Sequence, residues 1–327
     1  MTTRRALLVA VAVAPIAAFA QAPGRTHRIG VLSARSRPTR SNPDALFDAF
    51  TRGLLEHGYI EGKNLHIEWR FADGDLERLP AFAAELVKAD VALIVTHTTP
   101  GTQALQRVTS TIPIVMTSIS DPLGSGFVKS LARPGGNITG LSILSVDVSV
   151  KHVELLQTLF PAIKRVGVFV NPATTFHPAV LKNVETAARS RGLAVVPVRV
   201  ANLEEIERGL QKAAQERVDA IIFAADSLFV LRRRQIGEAA LKHRVPAIFL
   251  NRENVAAGGL ISYGPNIAES YHRAATYVDK ILKGAKPADL PIEQPSTFHL
   301  AVNTRTAKAL GISVPRELLL RADEVIE

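Results

Sequence analysis

Apolar residues fall into short continuous runs that alternate with longer stretches of helical spacing. Residues 28–33 read RIGVLS, a brief apolar strand ending in a small polar residue. After Asn42-Pro43, a cap and first-turn proline by type, Leu46, Phe47, Phe50, Leu54 and Leu55 mark one helix face, and Gly58 ends it. Leu65, Ile67, Trp69 and Phe71 alternate with His66, Glu68 and Arg70, which predicts a strand with one buried face near a sheet edge. Leu79, Phe82, Leu86 and Val87 predict a helix. Residues 91–95 are continuously apolar, as in a strand covered on both faces. Thr96 to Thr99 follow, and Pro100 opens another helix.

The stretch 111–141 organises the chain. It runs strand, polar loop, helical spacing (Leu123, Phe127, Val128, Leu131), the breaker Arg133-Pro134-Gly135-Gly136-Asn137, then a strand again. The alternation resumes after the breaker. Residues 166–170, 194–200, 220–224 and 246–250 read as strands. Helices are predicted over 153–159, 178–191, 203–215 and 228–243. Gly258-Gly259 gives a second break before 260–263. A helix over 268–282, a linker over 283–291, a strand over 298–303 and a helix over 306–310 close the pattern. The two β/α blocks predict an α/β fold of two Rossmann-like lobes with parallel sheets, and the glycine pairs are candidate hinges. Two such lobes facing across a cleft form a ligand clamp.

Length and composition fit this picture. A chain of 327 residues accommodates about two domains. It is 47% hydrophobic and 21% charged, and it has no cysteine, which excludes disulfides, thiolate chemistry and a lipidated N-terminal cysteine. The net charge of +9 is spread along the chain; Arg232-Arg233-Arg234 is its densest run. That spread does not suggest a nucleic-acid partner. Residues 1–20 read as a secretory signal peptide: Arg4-Arg5, an apolar run from Ala6 to Phe19, and Ala18-Phe19-Ala20 before Gln21. Residues 3–8 fit an ordinary export signal and, loosely, a twin-arginine one.

Chemistry-bearing motifs are missing. The chain has no G-x-S-x-G elbow, no H-E-x-x-H and no phosphate-binding loop, and its histidines are scattered, so neither a cofactor nor a metal is expected. What recurs is a short loop rich in Ser, Thr, Asn and Asp after successive strands. In open α/β sheets those strand ends share one rim, where ligands bind.

Five segments carry a family resemblance: GLLEHGYIEGKNL (53–65), STIPIVMTSISDPLGSGFVKSLARPGGNITGLS (110–142), AAGGLISYGPN (256–266), YVDKILKGAKPADLPIEQP (277–295) and NTRTAKALGISVP (303–315). Together they resemble the ABC-transporter substrate-binding proteins of the tryptophan/tyrosine type. The resemblance spans nearly all of 28–327 and implies the type I periplasmic binding protein fold. It implies a non-enzymatic exported protein, monomeric, that closes on a small-molecule ligand and serves an ABC permease. On that fold the N-terminal lobe is expected over 26–140 plus 266–290, and the C-terminal lobe over 141–265 plus 291–327.

The resemblance places the ligand on rim loops of both lobes. In this chain those are Ser33-Ala34, the His97 loop with Thr98 and Thr99, Ser118 to Asp121, Asn171, Ala225-Asp226, and Asn251 to Glu253. Ser120 stands where the family usually has a glycine before Asp-Pro. No aromatic residue lies in the 96–100 or 118–121 loops, which weighs against an aromatic ligand. Thr98 and Thr99 lead into a helix whose free amides and dipole favour a carboxylate, and Asp121, Asp226 or Glu253 could face an ammonium. That chemistry suggests an amino acid or a similar carboxylate. Two other readings stand beside it: a receptor for a membrane sensor, and a hydrolase using Asp121 and Asp226 as an acid pair.

Overall fold

A computed structural model describes residues 26–327. The export signal expected over 1–20 lies outside them. The chain begins with β1 (His27–Ser33), α1 (Ala45–Glu56), β2 (Leu65–Phe71), α2 (Leu79–Lys88), β3 (Ile94–Thr96), α3 (Thr99–Val108), β4 (Ile114–Ile119) and β5 (Ile138–Ser142). These strands form a parallel five-stranded sheet in the order β2-β1-β3-β4-β5. β2 is the edge its alternation predicted, and its residues Trp69 and Phe71 stack at 5.5 Å with Trp69 edge-on to Phe47. Trp69 is therefore packing.

A second run follows: α4 (Ser145–Leu159), β6 (Arg165–Val170), α5 (His177–Arg189), β7 (Ala194–Arg199), α6 (Leu203–Gln215), β8 (Ala220–Phe223), α7 (Ser227–Leu231), α8 (Arg233–Lys242), β9 (Ala247–Phe249), α9 (Arg252–Ala256) and β10 (Ile261–Gly264). Then α10 (Ile267–Leu282) returns to the first sheet. Its Tyr271, Ala274, Tyr277 and Val278 share a core with Phe47, Phe50 and Leu54 of α1. The chain ends with β11 (His299–Asn303), α11 (Thr304–Leu310), α12 (Arg316–Arg321) and β12 (Glu324–Ile326). The second sheet runs β12-β11-β10-β9-β8-β6-β7. It is parallel except where β11 meets β10 antiparallel, so both lobes carry the parallel-dominated sheets expected.

The two α-helices at the heart of the first lobe meet closely. A Cβ on Gly53 of α1 would sit 2.5 Å from the His272 carbonyl oxygen of α10 and 2.9 Å from the Ala275 Cβ. Only glycine lets the helices approach this far.

Several local expectations are revised. Residues 123–131 form turns, not a helix, because Gly124 and Gly126 interrupt the apolar spacing and Gly126 adopts φ +71°. The Gly135-Gly136 turn is not a lobe crossing. It precedes β5, which still belongs to the first sheet, and Gly135 N–H bonds to the Ala288 carbonyl of the same lobe. Likewise Gly258-Gly259 precedes β10 of the second sheet. The chain crosses after β5, after β10 and beyond Glu293, whose carbonyl still accepts from Ser142 N–H beside β5. The helix expected over 228–243 is two helices that break at Arg232, within the arginine run. Asp44, not Asn42, caps α1 by accepting from Leu46 N–H.

Candidate functional site

A cavity of about 380 Å³ lies between the lobes, at the carboxyl ends of the parallel strands. The first lobe contributes Ala34 and Arg35 after β1, His97 to Pro100 after β3, and Ser118 and Ser120 at the end of β4. The second contributes Asn171, Thr174 and Phe176 after β6, Ala225 to Ser227 after β8, and Asn251 and Glu253 after β9. The strand-end logic thus brings most of the expected loops to one place.

Two expected residues stand elsewhere. Ser33 is fully buried, and its hydroxyl accepts from Arg35 N–H at 2.9 Å, so it shapes the turn that presents Arg35. Asp121 is not among the residues lining the cavity. Its carboxylate turns back and accepts from Gly124 N–H at 2.7 Å, stabilising the turn after β4. The acid pair imagined for Asp121 and Asp226 therefore does not form.

The start of α3 lines the cavity. Thr98 is its cap, with Oγ1 accepting from Gly101 N–H at 3.1 Å. Pro100 has no N–H, so the amide the helix start offers to the cleft is that of Thr99. Thr99 is thus the first helical residue and not the cap. Ser118 is anchored by donating from Oγ to the His97 carbonyl at 3.1 Å, which ties the β3 and β4 loops together.

In the second lobe the organiser is His177, which sequence reasoning passed over. Its Nδ1 accepts from Asn171 N–H at 2.7 Å and its Nε2 donates to the Ala225 carbonyl at 3.0 Å. That pattern requires a neutral ring, and burial pushes its pKa below the usual histidine value, partly offset by nearby Asp226. Asp226 caps α7 through Leu228 N–H at 2.8 Å and accepts from Thr174 Oγ1 at 2.6 Å and Asn171 Nδ2 at 3.5 Å. Asn171 in turn accepts from Ala173 N–H. These residues fix the rim as a rigid frame.

Arg35 was also missed, because its partner is remote in sequence. Its Nη2 and Nη1 donate to the two Glu253 oxygens at 2.8 and 3.2 Å, while Nε donates to Asp44 at 2.6 Å. Asp44 caps α1 of the first lobe, and Glu253 lies in α9 of the second. The bidentate pair therefore joins the lobes across the cleft. At the other lip Ser125 and Thr175 hydroxyls meet at 3.3 Å. Aromatic side chains do reach the cavity, from segments other than the two loops lacking them: Phe176 and Tyr271. Among the described residues no group of His, Asp and Glu is arranged to hold a metal.

Two α/β lobes clasping a polar-rimmed cavity define a two-lobed ligand-binding protein. The pattern of the family described as "ABC transporter substrate binding protein" matches residues 29–326, and the chain belongs to that family. It is not an enzyme family, so the hydrolase reading falls. Among curated relatives, a tyrosine-binding protein of Clostridioides difficile is 28% identical over 264 residues, covering 80% of this chain and 75% of the relative. A Streptococcus pneumoniae ABC domain solved in complex with L-Trp is 28% identical with a TM-score of 0.84, covering 92% of this chain and 100% of that one. A ligand-free, open substrate-binding protein with adhesive properties from Clostridium difficile is 26% identical with a TM-score of 0.67, covering 92% and 99%. In this chain the Arg35–Glu253 ion pair holds the two lobes together across the cleft.

Proposed function

We propose that this chain is the periplasmic ligand-capturing component of an ABC importer. It is exported by its N-terminal signal and hands an α-amino acid to a membrane permease. The observation that carries this reading is the cavity of about 380 Å³ closed between two lobes by the Arg35–Glu253 pair. One wall supplies the Thr99 amide and the positive end of α3 for a carboxylate. The opposite wall supplies Asp226, whose charge favours an ammonium, while Glu253 is engaged by Arg35. Leu46, Leu79, Ile143, Phe176, Val230 and Leu231 line the space for an apolar or aromatic side chain. The ligands named for the similar proteins, tyrosine and L-Trp, support an aromatic amino acid in particular.

Thermal melting against the common L-amino acids tests the reading. A ligand at a hundred times its Kd adds about 2.7 kcal/mol of stability by mass action, a shift of several degrees. A rise with an aromatic amino acid and none with sugars is expected. No rise with any amino acid overturns the proposal.

A further inference from the structure

One face of α3 runs along the ligand cavity. Thr99, Gln103 and Arg107 stand four residues apart on that helix, so they share a face, and all three line the cavity. At about 1.5 Å of rise per residue, the backbone from Thr99 to Arg107 spans about 12 Å. Side chains on a helix lean toward its N-terminus, which brings the Arg107 guanidinium back along the cavity toward Thr99. A ligand whose carboxylate sits at the Thr99 amide therefore directs its far end along this face.

The fold makes no use of the two outer side chains. Among the described residues, the polar side chains at α3 that bond within the protein are Thr98, Thr102 and Gln106. Thr98 Oγ1 caps the helix, Thr102 Oγ1 donates to the Thr98 carbonyl at 3.0 Å, and Gln106 Nε2 donates to the Gly126 carbonyl at 2.9 Å. Gln103 and Arg107 make no such bond, and Arg107 forms no ion pair among the described residues. Other charges on the lining are engaged: Arg35 holds Glu253, and Asp226 accepts from Leu228 N–H and Thr174 Oγ1. Glu77, in the turn before α2, is the exception. Leu76, Leu79, Ala104, Val230 and Leu231 supply apolar lining, and a donor set in such a wall acts more strongly than one in open water.

Resting on the amino-acid reading above, we propose that Arg107, with Gln103 beside it, forms a distal subsite that receives an acceptor oxygen, phenolic or carboxylate, at the far end of the ligand's side chain. The guanidinium presents a planar fork of donors and no acceptor, and the Gln103 amide adds two more N–H groups. Two donor side chains on one helix face outweigh the single acid Glu77, so the subsite selects an acceptor and not a cation. A phenyl ring offers neither residue a partner.

Titration calorimetry with L-phenylalanine, L-tyrosine, para-carboxy-L-phenylalanine and para-aminomethyl-L-phenylalanine tests this on wild type, Arg107→Met and Arg107→Lys. Wild type is expected to bind tyrosine and the carboxylate analogue about three- to tenfold tighter than phenylalanine, the worth of one hydrogen bond, and the cationic analogue more weakly. A gain for only one of the two identifies which oxygen the subsite takes. Arg107→Met keeps the apolar stem and should erase the preference. Arg107→Lys keeps the charge without the fork, so it should retain a preference for the carboxylate analogue. Raising the salt concentration should shrink that preference more than the one for tyrosine. Arg107 is exposed, and ligand-free melting temperatures equal to wild type establish that the variants fold. If wild type binds phenylalanine but neither oxygen-bearing ligand more tightly, if the preference survives Arg107→Met, or if the cationic analogue binds best, the inference is overturned and the amino-acid reading stands. If wild type binds none of the four, the aromatic amino-acid reading itself is overturned, and the inference with it.

Discussion

The Arg35 guanidinium and the Glu253 carboxylate form a bidentate ion pair across the cleft, with Nη2 to Oε1 at 2.8 Å. Their side chains are 13% and 25% exposed, so solvent screens the pair less than a surface bridge. Asp44 holds the same guanidinium from the first lobe. Because the pair exists only while the lobes are together, it contributes to closure and not to the folding of either lobe.

Arg35→Ala and Glu253→Gln should therefore each weaken ligand binding, mainly by faster dissociation. A double-mutant cycle should return a coupling of about 0.5–3 kcal/mol. Small-angle scattering of the ligand-free variants should show a larger radius of gyration than wild type. Unchanged affinity and radius in both variants would remove the latch role.

Thr98 and Thr99 should separate cleanly. Thr98→Ala removes the α3 cap and should cost about 1 kcal/mol of stability in ligand-free protein. Thr99 is not the cap, so Thr99→Ala should leave the ligand-free melting temperature nearly as before, while Thr99→Pro removes the amide offered to the carboxylate. The proline variant should bind at least tenfold more weakly, since a hydrogen bond to a charged group is worth about 1.5–3 kcal/mol. Equal affinity in Thr99→Pro would move the carboxylate to the Ser118–Ser120 loop.

Acid should destabilise the fold in a defined window. Burial lowers His97 to about 3 and His152 to about 4, and lowers His177 as well. Unfolded histidine titrates near 6.5. Below that pH the unfolded chain takes up protons that the folded chain refuses, so stability falls as pH drops from about 6.5 toward 4 and is level above it. Each such group contributes up to about 1.4 kcal/mol per pH unit there. Urea midpoints between pH 7.5 and 4.5 check this. His152→Gln, which can keep the bond to the Tyr263 carbonyl, should flatten the slope. A wild-type midpoint that holds steady down to pH 4.5 would contradict the account.

Gly53→Ala should destabilise the first lobe. The added methyl meets backbone of α10 at 2.5 Å, which cannot move aside as a flexible side chain would. Overpacking of this kind costs about 1–3 kcal/mol, more than the helix propensity gained. Chemical denaturation measures it; a variant as stable as wild type would mean that α1 and α10 can separate without penalty.

Much of this molecule was legible in its sequence. The period of the apolar residues marked both sheets, and strand-end loops marked the rim that holds Thr98, Asn171 and Asp226. The failures have physical causes. Residues 123–131 carry helical spacing, but two glycines within four residues favour turns. Asp121 follows a strand as a binding acid would, yet the short-range amide of Gly124 captures it. Arg35 and His177 act through partners that no local pattern reveals: Glu253 lies 218 positions from Arg35, and Ala225 lies 48 from His177. The glycine pairs broke the pattern visibly, but only the sheet order shows on which side of them the chain changes lobes.

The central claim is that the two lobes close on one aromatic amino acid. Titration calorimetry of the chain with L-tryptophan and L-tyrosine measures this directly. The account predicts one site per chain and a negative heat-capacity change from apolar surface buried in the cavity, with affinity reduced in Glu253→Gln. No heat with either ligand at two temperatures about 25 °C apart, so that an enthalpy crossing cannot hide binding, together with no shift in melting temperature, would contradict it.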